Sequence, residues 1–117
     1  MLPKKERLSR LEFNRFFSVG KRYHSPLFTL VYAPSPALHV SVVVSKKISN
    51  HAVVRNKIRR RIYDIVRHYR TETEVRGVFI FLTKKGVENT PYTSLKSEVY
   101  ARLSTSIQNT SNMSTLL

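Results

Sequence analysis

The stretch LHVSVVVSKKISNHAVVRNKIRRRIYDIVRHY, Leu38–Tyr69, changes its hydrophobic period once, and that change decides the fold. Leu38, Val40, Val42 and Val44 alternate with His39, Ser41, Val43 and Ser45, which predicts a strand with one apolar face. From Ala52 to Tyr69 the apolar residues Val54, Ile58, Ile62, Ile65, Val66 and Tyr69 recur at the helical spacing, which predicts a long amphipathic helix. The apolar stripe of that helix has to face a sheet.

Upstream, Ser9 or Arg10 opens a short helix carrying Leu11, Phe13, Phe16 and Phe17, with Gly20 as its stop. Tyr23 to Tyr32 reads as a strand with Phe28, Leu30 and Tyr32 at period two. Ala33-Pro34-Ser35-Pro36 is a turn, so the Leu38 strand runs opposite to it. Downstream, Val78 to Thr83 is apolar on both faces and reads as a central strand, ended by Lys84-Lys85-Gly86. Thr90-Pro91 opens a last helix bearing Tyr92, Leu95, Val99, Leu103 and Ile107. The predicted order is α-β-β-α-β-α, an α+β single domain built as a two-layer sandwich over residues 1–108. Residues 109–117 are expected to form a frayed polar tail.

The chain has 117 residues, enough for one domain with one modest core. It has no cysteine, which excludes disulfides, thiolate metal sites and a cysteine nucleophile. The start MLPKKERLSRLEF is charged and does not read as a secretory signal, and no apolar run approaches membrane-spanning length. A soluble, cytoplasmic protein with no membrane association is expected. Lys and Arg number 21 against 7 Asp and Glu, a net charge of +14 that calls for a polyanionic partner.

That charge is concentrated. Lys46, Lys47, Arg55, Lys57, Arg59, Arg60, Arg61, Arg67 and Arg70 fall between Ser45 and Arg70, with Asp64 the one acid among them. On the helical wheel Asn56, Arg60, Tyr63 and Arg67 are expected roughly opposite the apolar stripe. Arg55 and Arg59 flank one edge of it, and Lys57 and Arg61 the other. Arginine forks can hold phosphate oxygens, and Asn56 can add a polar contact to sugar or base. The aromatics Phe13, Phe16, Phe17, Phe28 and Tyr32 form a second feature. Phe16 reads as core, while for Phe13 and Phe17 core packing and stacking on unpaired bases both stay open.

Chemistry by the chain itself finds no support. The single Asp and six dispersed Glu make no carboxylate cluster for a two-metal nuclease. Three glycines leave no phosphate-cradling loop, and His24, His39, His51 and His68 lack the spacing of an acid–base pair. The residues describe an RNA-binding module. A DNA-binding protein and a cationic membrane-surface protein are the readings from other classes, and a ribosomal protein or general RNA chaperone is the nearest alternative.

The segment SKKISNHAVVRNKIRRRIYDIVR resembles the signature of the protein subunit of bacterial ribonuclease P, through Ser45, Lys46, Lys47, Ala52, Val53, Arg55, Asn56, Arg59 and Arg60. Arg7, Leu8, Phe13, Phe17 and Gly20 resemble the family's amino-terminal pattern. Tyr63 stands where the family's last motif Arg falls, Asp64 where a Glu follows, and Ser49-Asn50 where many members have Gly. The resemblance implies a ribosomal-protein-like fold with a left-handed β-α-β crossover. It also implies that catalysis belongs to an RNA subunit using Mg²⁺ held mainly by the RNA; no protein-held metal is predicted. The implied partners are that catalytic RNA and precursor tRNA, whose 5′ leader is removed. Lys46, Lys47, Arg55, Asn56, Arg59 and Arg60 would meet the RNA, with Lys57, Tyr63 and Arg67 extending the surface. Phe13, Phe17 and Phe28 would line a cleft for the single-stranded leader.

Overall fold

In a computed structural model the described residues are 8–116, with side chains described over 8–109. Arg7 and the rest of the basic lead-in lie outside them, as do the side chains of all but the first residue of the expected polar tail. Helix α1 (Arg10–Val19) opens on Ser9 through a reciprocal cap. The Ser9 hydroxyl accepts the Glu12 amide at 3.2 Å and the Glu12 carboxylate accepts the Ser9 amide at 3.1 Å. Hydrogen bonding of the Glu12 carboxylate to the Ser9 side chain, and then to its amide, holds that carboxyl below its ordinary range. Gly20 ends the helix, donating its N–H to the Phe16 carbonyl at 2.8 Å.

The single strand expected over Tyr23–Tyr32 is in fact two, β1 (Lys21–His24) and β2 (Phe28–Ala33), paired antiparallel. The break comes at Ser25-Pro26-Leu27. Pro26 has no N–H to give a ladder. The Ser25 N–H donates across the turn to the Phe28 carbonyl at 2.9 Å, and the buried Ser25 hydroxyl accepts from Leu27 and donates to Glu98. Then follow β3 (Leu38–Val43), α2 (Ala52–Glu72), β4 (Gly77–Thr83), a 3₁₀ turn (Val87–Asn89) and α3 (Tyr92–Leu116). Helix α2 runs three residues beyond the expected Tyr69.

The sheet order is β1-β2-β4-β3. β3 does run opposite to β2, but the two do not pair, because β4 lies between them, antiparallel to β2 and parallel to β3. The expected central place of the Val78–Thr83 strand is thus correct, and β3-α2-β4 is a parallel crossover between neighbouring strands.

Because β2 and β4 are apolar on both faces, both faces need a cover. On the front, Phe28, Leu30, Tyr32, Val40, Val42, Phe79 and Phe81 meet Ile58, Ile62, Ile65, Val66 and Tyr69 of α2 and Leu95, Val99 and Leu103 of α3. On the back, Val31, Ala33, Val78 and Ile80 meet Leu8, Phe13, Phe16 and Phe17. The α+β domain stands as expected, with α1 adding a small layer behind the sheet.

Asp64 joins the two front helices. It accepts the Tyr92 hydroxyl of α3 at 3.1 Å and a guanidinium hydrogen bond from Arg67 at 2.7 Å, and the His68 ring lies 3.6 Å away. The Arg67 hydrogen bond, helped by Tyr92, holds the Asp64 carboxyl below the usual range against the opposing effect of burial.

Gly77 sits at φ 122, and a Cβ there would lie 2.7 Å from the Tyr32 ring and 3.1 Å from the Ala33 carbonyl. Gly77→Ala should therefore lose about 1–3 kcal/mol of stability, read from the urea midpoint. Asp64 has a depressed folded pKa, so its stabilisation is complete above the ordinary carboxylate value of about 3.9 and is lost as pH falls through the folded value. The melting temperatures of wild type and Asp64→Asn should differ at neutral pH and converge below about pH 4. A gap that does not change with pH would show that the charge of Asp64 contributes nothing.

Candidate nucleic-acid interface

The connection from β3 to α2 is pinned from several sides. Ile48 is buried in the front core, and its carbonyl accepts the Lys85 ammonium at 3.0 Å. Arg55 donates to the Ser49 carbonyl at 2.9 Å, and Arg59 reaches the Val44 carbonyl at 3.5 Å. The turn so held leaves Lys46 and Lys47 exposed just ahead of the start of α2.

The expected cations of α2 therefore divide in two. Arg55 and Arg59 are half-buried, with hydrogen bonds to the backbone of the turn, and Arg59 also donates to the Asn56 side-chain oxygen at 2.7 Å. That bond engages the Asn56 side-chain oxygen and leaves its amide group, a double donor, without a hydrogen bond among the described residues. Arg67 is exposed but paired with Asp64. Lys57 and Arg60 are exposed, and among the described residues they make no ion pair or hydrogen bond. Arg61, left out of the expected site, shares that state at intermediate exposure.

Tyr63 is a correction. It is 8% exposed and belongs to the front core. It follows Ile62 by one residue, about 100° around the helix, so it lies on a flank of the apolar stripe rather than opposite it. Its ring goes inward with that stripe and is not part of the exposed cationic face.

Phe28 is a second correction. It is fully buried in the front core, with its ring centroid 5.3 Å from that of Phe81, and has no face free for a base. Strand alternation places it on the opposite side of the sheet from α1. Phe13 and Phe17 do come together, half-buried on the back face, with ring centroids 5.7 Å apart and planes 22° from parallel. Each ring packs on the back core and keeps some surface.

A residue not expected at this site completes the group. Arg22 on β1 lies with its guanidinium carbon 4.7 Å from the Phe17 ring centroid and donates to the Phe17 carbonyl at 3.3 Å. Phe13, Phe17 and Arg22 thus form a short column of flat groups ending in an exposed cation. Arg22 pairs in register with Val31, and this register puts it on the α1 side. It depends on the turn at Pro26, so no periodicity signal within β1 alone could have found it.

Among the described residues no group of three or more His, Cys, Asp or Glu is arranged to hold a metal ion, and no helix is long and apolar enough to cross a membrane. The site can bind anions and flat bases by hydrogen bonding, charge and stacking.

The chain matches the family described as Ribonuclease P over residues 2–106. The ribonuclease P protein component of Rickettsia canadensis is 30% identical over 100 residues, spanning 75% of this chain and 85% of that one. The component of Microcystis aeruginosa is 36% identical over 89 residues, spanning 68% and 73%. Among solved structures, the RNase P protein of Staphylococcus aureus superposes with a TM-score of 0.77 at 18% identity, covering 86% of this chain and 94% of that one. The RNase P protein of Thermotoga maritima gives 0.75 at 20%, covering 84% and 94%. These two identities speak for the fold alone. The family match takes in both the cationic turn-and-helix segment and the aromatic amino-terminal helix, and the chain belongs to the ribonuclease P protein family.

Proposed function

We propose that this chain works as the protein subunit of an RNA-catalysed endoribonuclease that removes the 5′ leader from precursor tRNA. One observation carries the reading. The unpartnered cations and the aromatic column lie on opposite faces of one sheet, giving separate surfaces for a folded RNA and for an unpaired strand.

In this reading Lys46, Lys47, Asn56, Lys57 and Arg60 contact the phosphate backbone of the catalytic RNA. Arg55 and Arg59 hold the turn that presents Lys46 and Lys47. Each cation that neutralises a phosphate releases condensed counterions, which lowers the Mg²⁺ needed to bring two polyanions together. The Mg²⁺ itself serves the RNA subunit. On the back face, Phe13, Phe17 and Arg22 stack on leader bases and add affinity for precursor over mature tRNA, since only the precursor has a strand to place there.

The reading is tested by reconstitution with a bacterial ribonuclease P RNA and a precursor tRNA at low Mg²⁺. The chain should raise the cleavage rate there and have little effect at high Mg²⁺; equal rates with and without it at low Mg²⁺ would overturn the reading. Phe17→Leu keeps apolar packing against the back core but removes the stacking face. It should weaken binding of precursor tRNA by about 1 kcal/mol or more, roughly fivefold, and leave mature tRNA binding unchanged.

A further inference from the structure

We propose that Glu98 and Arg102 of α3 are positioning residues for precursor recognition: they hold the end of β1, and through it they set Arg22 against Phe17. The inference rests on the function proposed above. It adds two residues of the front layer that act on the back face only through Arg22.

Arg22 stands on a strand that holds it weakly. β1 has four residues and is the outermost strand on its side of the sheet, paired only with β2. Its side chains alternate, with Arg22 on the back beside Phe17 and Tyr23 buried in the front core. A slip of one residue in the pairing would exchange the two and take the cation off the Phe17 ring. At its own site Arg22 is exposed and holds on through the ring contact and one hydrogen bond of 3.3 Å.

α3 fixes this strand from the front. The Arg102 Nε donates to the carbonyl of His24, the last residue of β1, at 2.8 Å. Glu98, one helical turn earlier, accepts the hydroxyl of the buried Ser25 at 2.9 Å, and the same carboxylate oxygen accepts Arg102 at 3.3 Å. Glu four residues ahead of Arg is the favourable order on a helix. The two side chains are 33% and 27% exposed, so their charges are less screened than those of a pair in open water. Just beyond β4, the Lys84 ammonium donates to the Ser25 carbonyl at 2.8 Å. Two successive carbonyls at the end of β1 are thus each held by a cation from outside the hairpin. Asn109 of α3 donates to the Tyr23 hydroxyl at 3.4 Å from the same side. His24 and Arg22 are two residues apart and share a strand face, so fixing the His24 backbone fixes the direction in which Arg22 leaves the strand.

The test uses the complex of the full chain with a bacterial ribonuclease P RNA. It measures the ratio of affinities for precursor and mature tRNA through a double-mutant cycle of Arg22→Gln and Arg102→Gln. Arg102→Gln alone should lower that ratio roughly two- to fivefold, the size of a lost cation–π contact, with affinity for the RNA subunit unchanged. In the Arg22→Gln background it should lower the ratio no further. A merely structural role would not give this pattern, because loosened packing acts whether or not Arg22 is present. If Arg102→Gln does not fold, Ser25→Ala, which removes the hydroxyl that Glu98 accepts, takes its place in the same cycle. An unchanged ratio, an equal loss with and without Arg22, or an equal loss of affinity for the RNA subunit would overturn the positioning role and leave the proposed function standing. A wild-type complex with no preference for precursor would overturn both this role and the stacking site it serves.

Discussion

The molecule depends on two strands that cannot tolerate water on either side. β2 and β4 carry Phe28, Leu30, Tyr32, Phe79 and Phe81 toward one face and Val31, Ala33, Val78 and Ile80 toward the other. A sheet apolar on both sides needs two covers, and the chain has helices before and after it to supply them. α1 lies behind, α2 and α3 in front. The separation of the aromatic group from the cationic helix is thus a consequence of core burial and asks nothing further of the sequence.

Charge is distributed with the same economy. A domain of net charge +14 works against its own compactness, yet among the described residues three acids hold the fold together. Asp64 links α2 to Tyr92, Glu98 links the β1–β2 turn to α3, and Glu12 caps α1. Several cations serve the same end by donating to backbone carbonyls: Arg55 to Ser49, Lys84 to Ser25, Lys85 to Ile48 and Arg102 to His24. What is left over is directed outward, and it is the leftover that gives the surface its character. Counting basic residues along α2 overstates the charge available to a partner, because a guanidinium bonded to a carbonyl has spent part of its donor set.

The elements with strong periodicity were legible in the sequence: α1 with its Ser9 start and Gly20 stop, α2, the central place of β4, and the opening of α3 after Pro91. The β1–β2 hairpin was not, because Tyr23, Phe28, Leu30 and Tyr32 look like one run until the turn at Ser25-Pro26-Leu27 folds it back. β3 was legible as a strand but not as a neighbour of β4, since pairing is decided by a crossover that leaves no local mark. At the site, Lys46, Lys47, Lys57 and Arg60 are as exposed as their positions promised. Phe28 misled because alternation tells which residues share a face, not which face is covered. Arg22 stayed hidden because its place follows from a register set by the unseen hairpin.

Tyr63 shows how one residue can redistribute a surface. A helical position about 100° from the centre of the apolar stripe is a border, where a long charged side chain can snorkel out and an aromatic ring can turn in. Where the family pattern has an arginine, this chain has a ring, and the ring has joined the core. That flank of α2, already occupied by Arg55 and Arg59 holding the turn, loses a free cation. On the other flank, Arg61 stands without a partner beside Lys57 among the described residues. The unpartnered cations Lys57 and Arg61 accordingly lie on the side of α2 that shares a cleft with Tyr92 of α3.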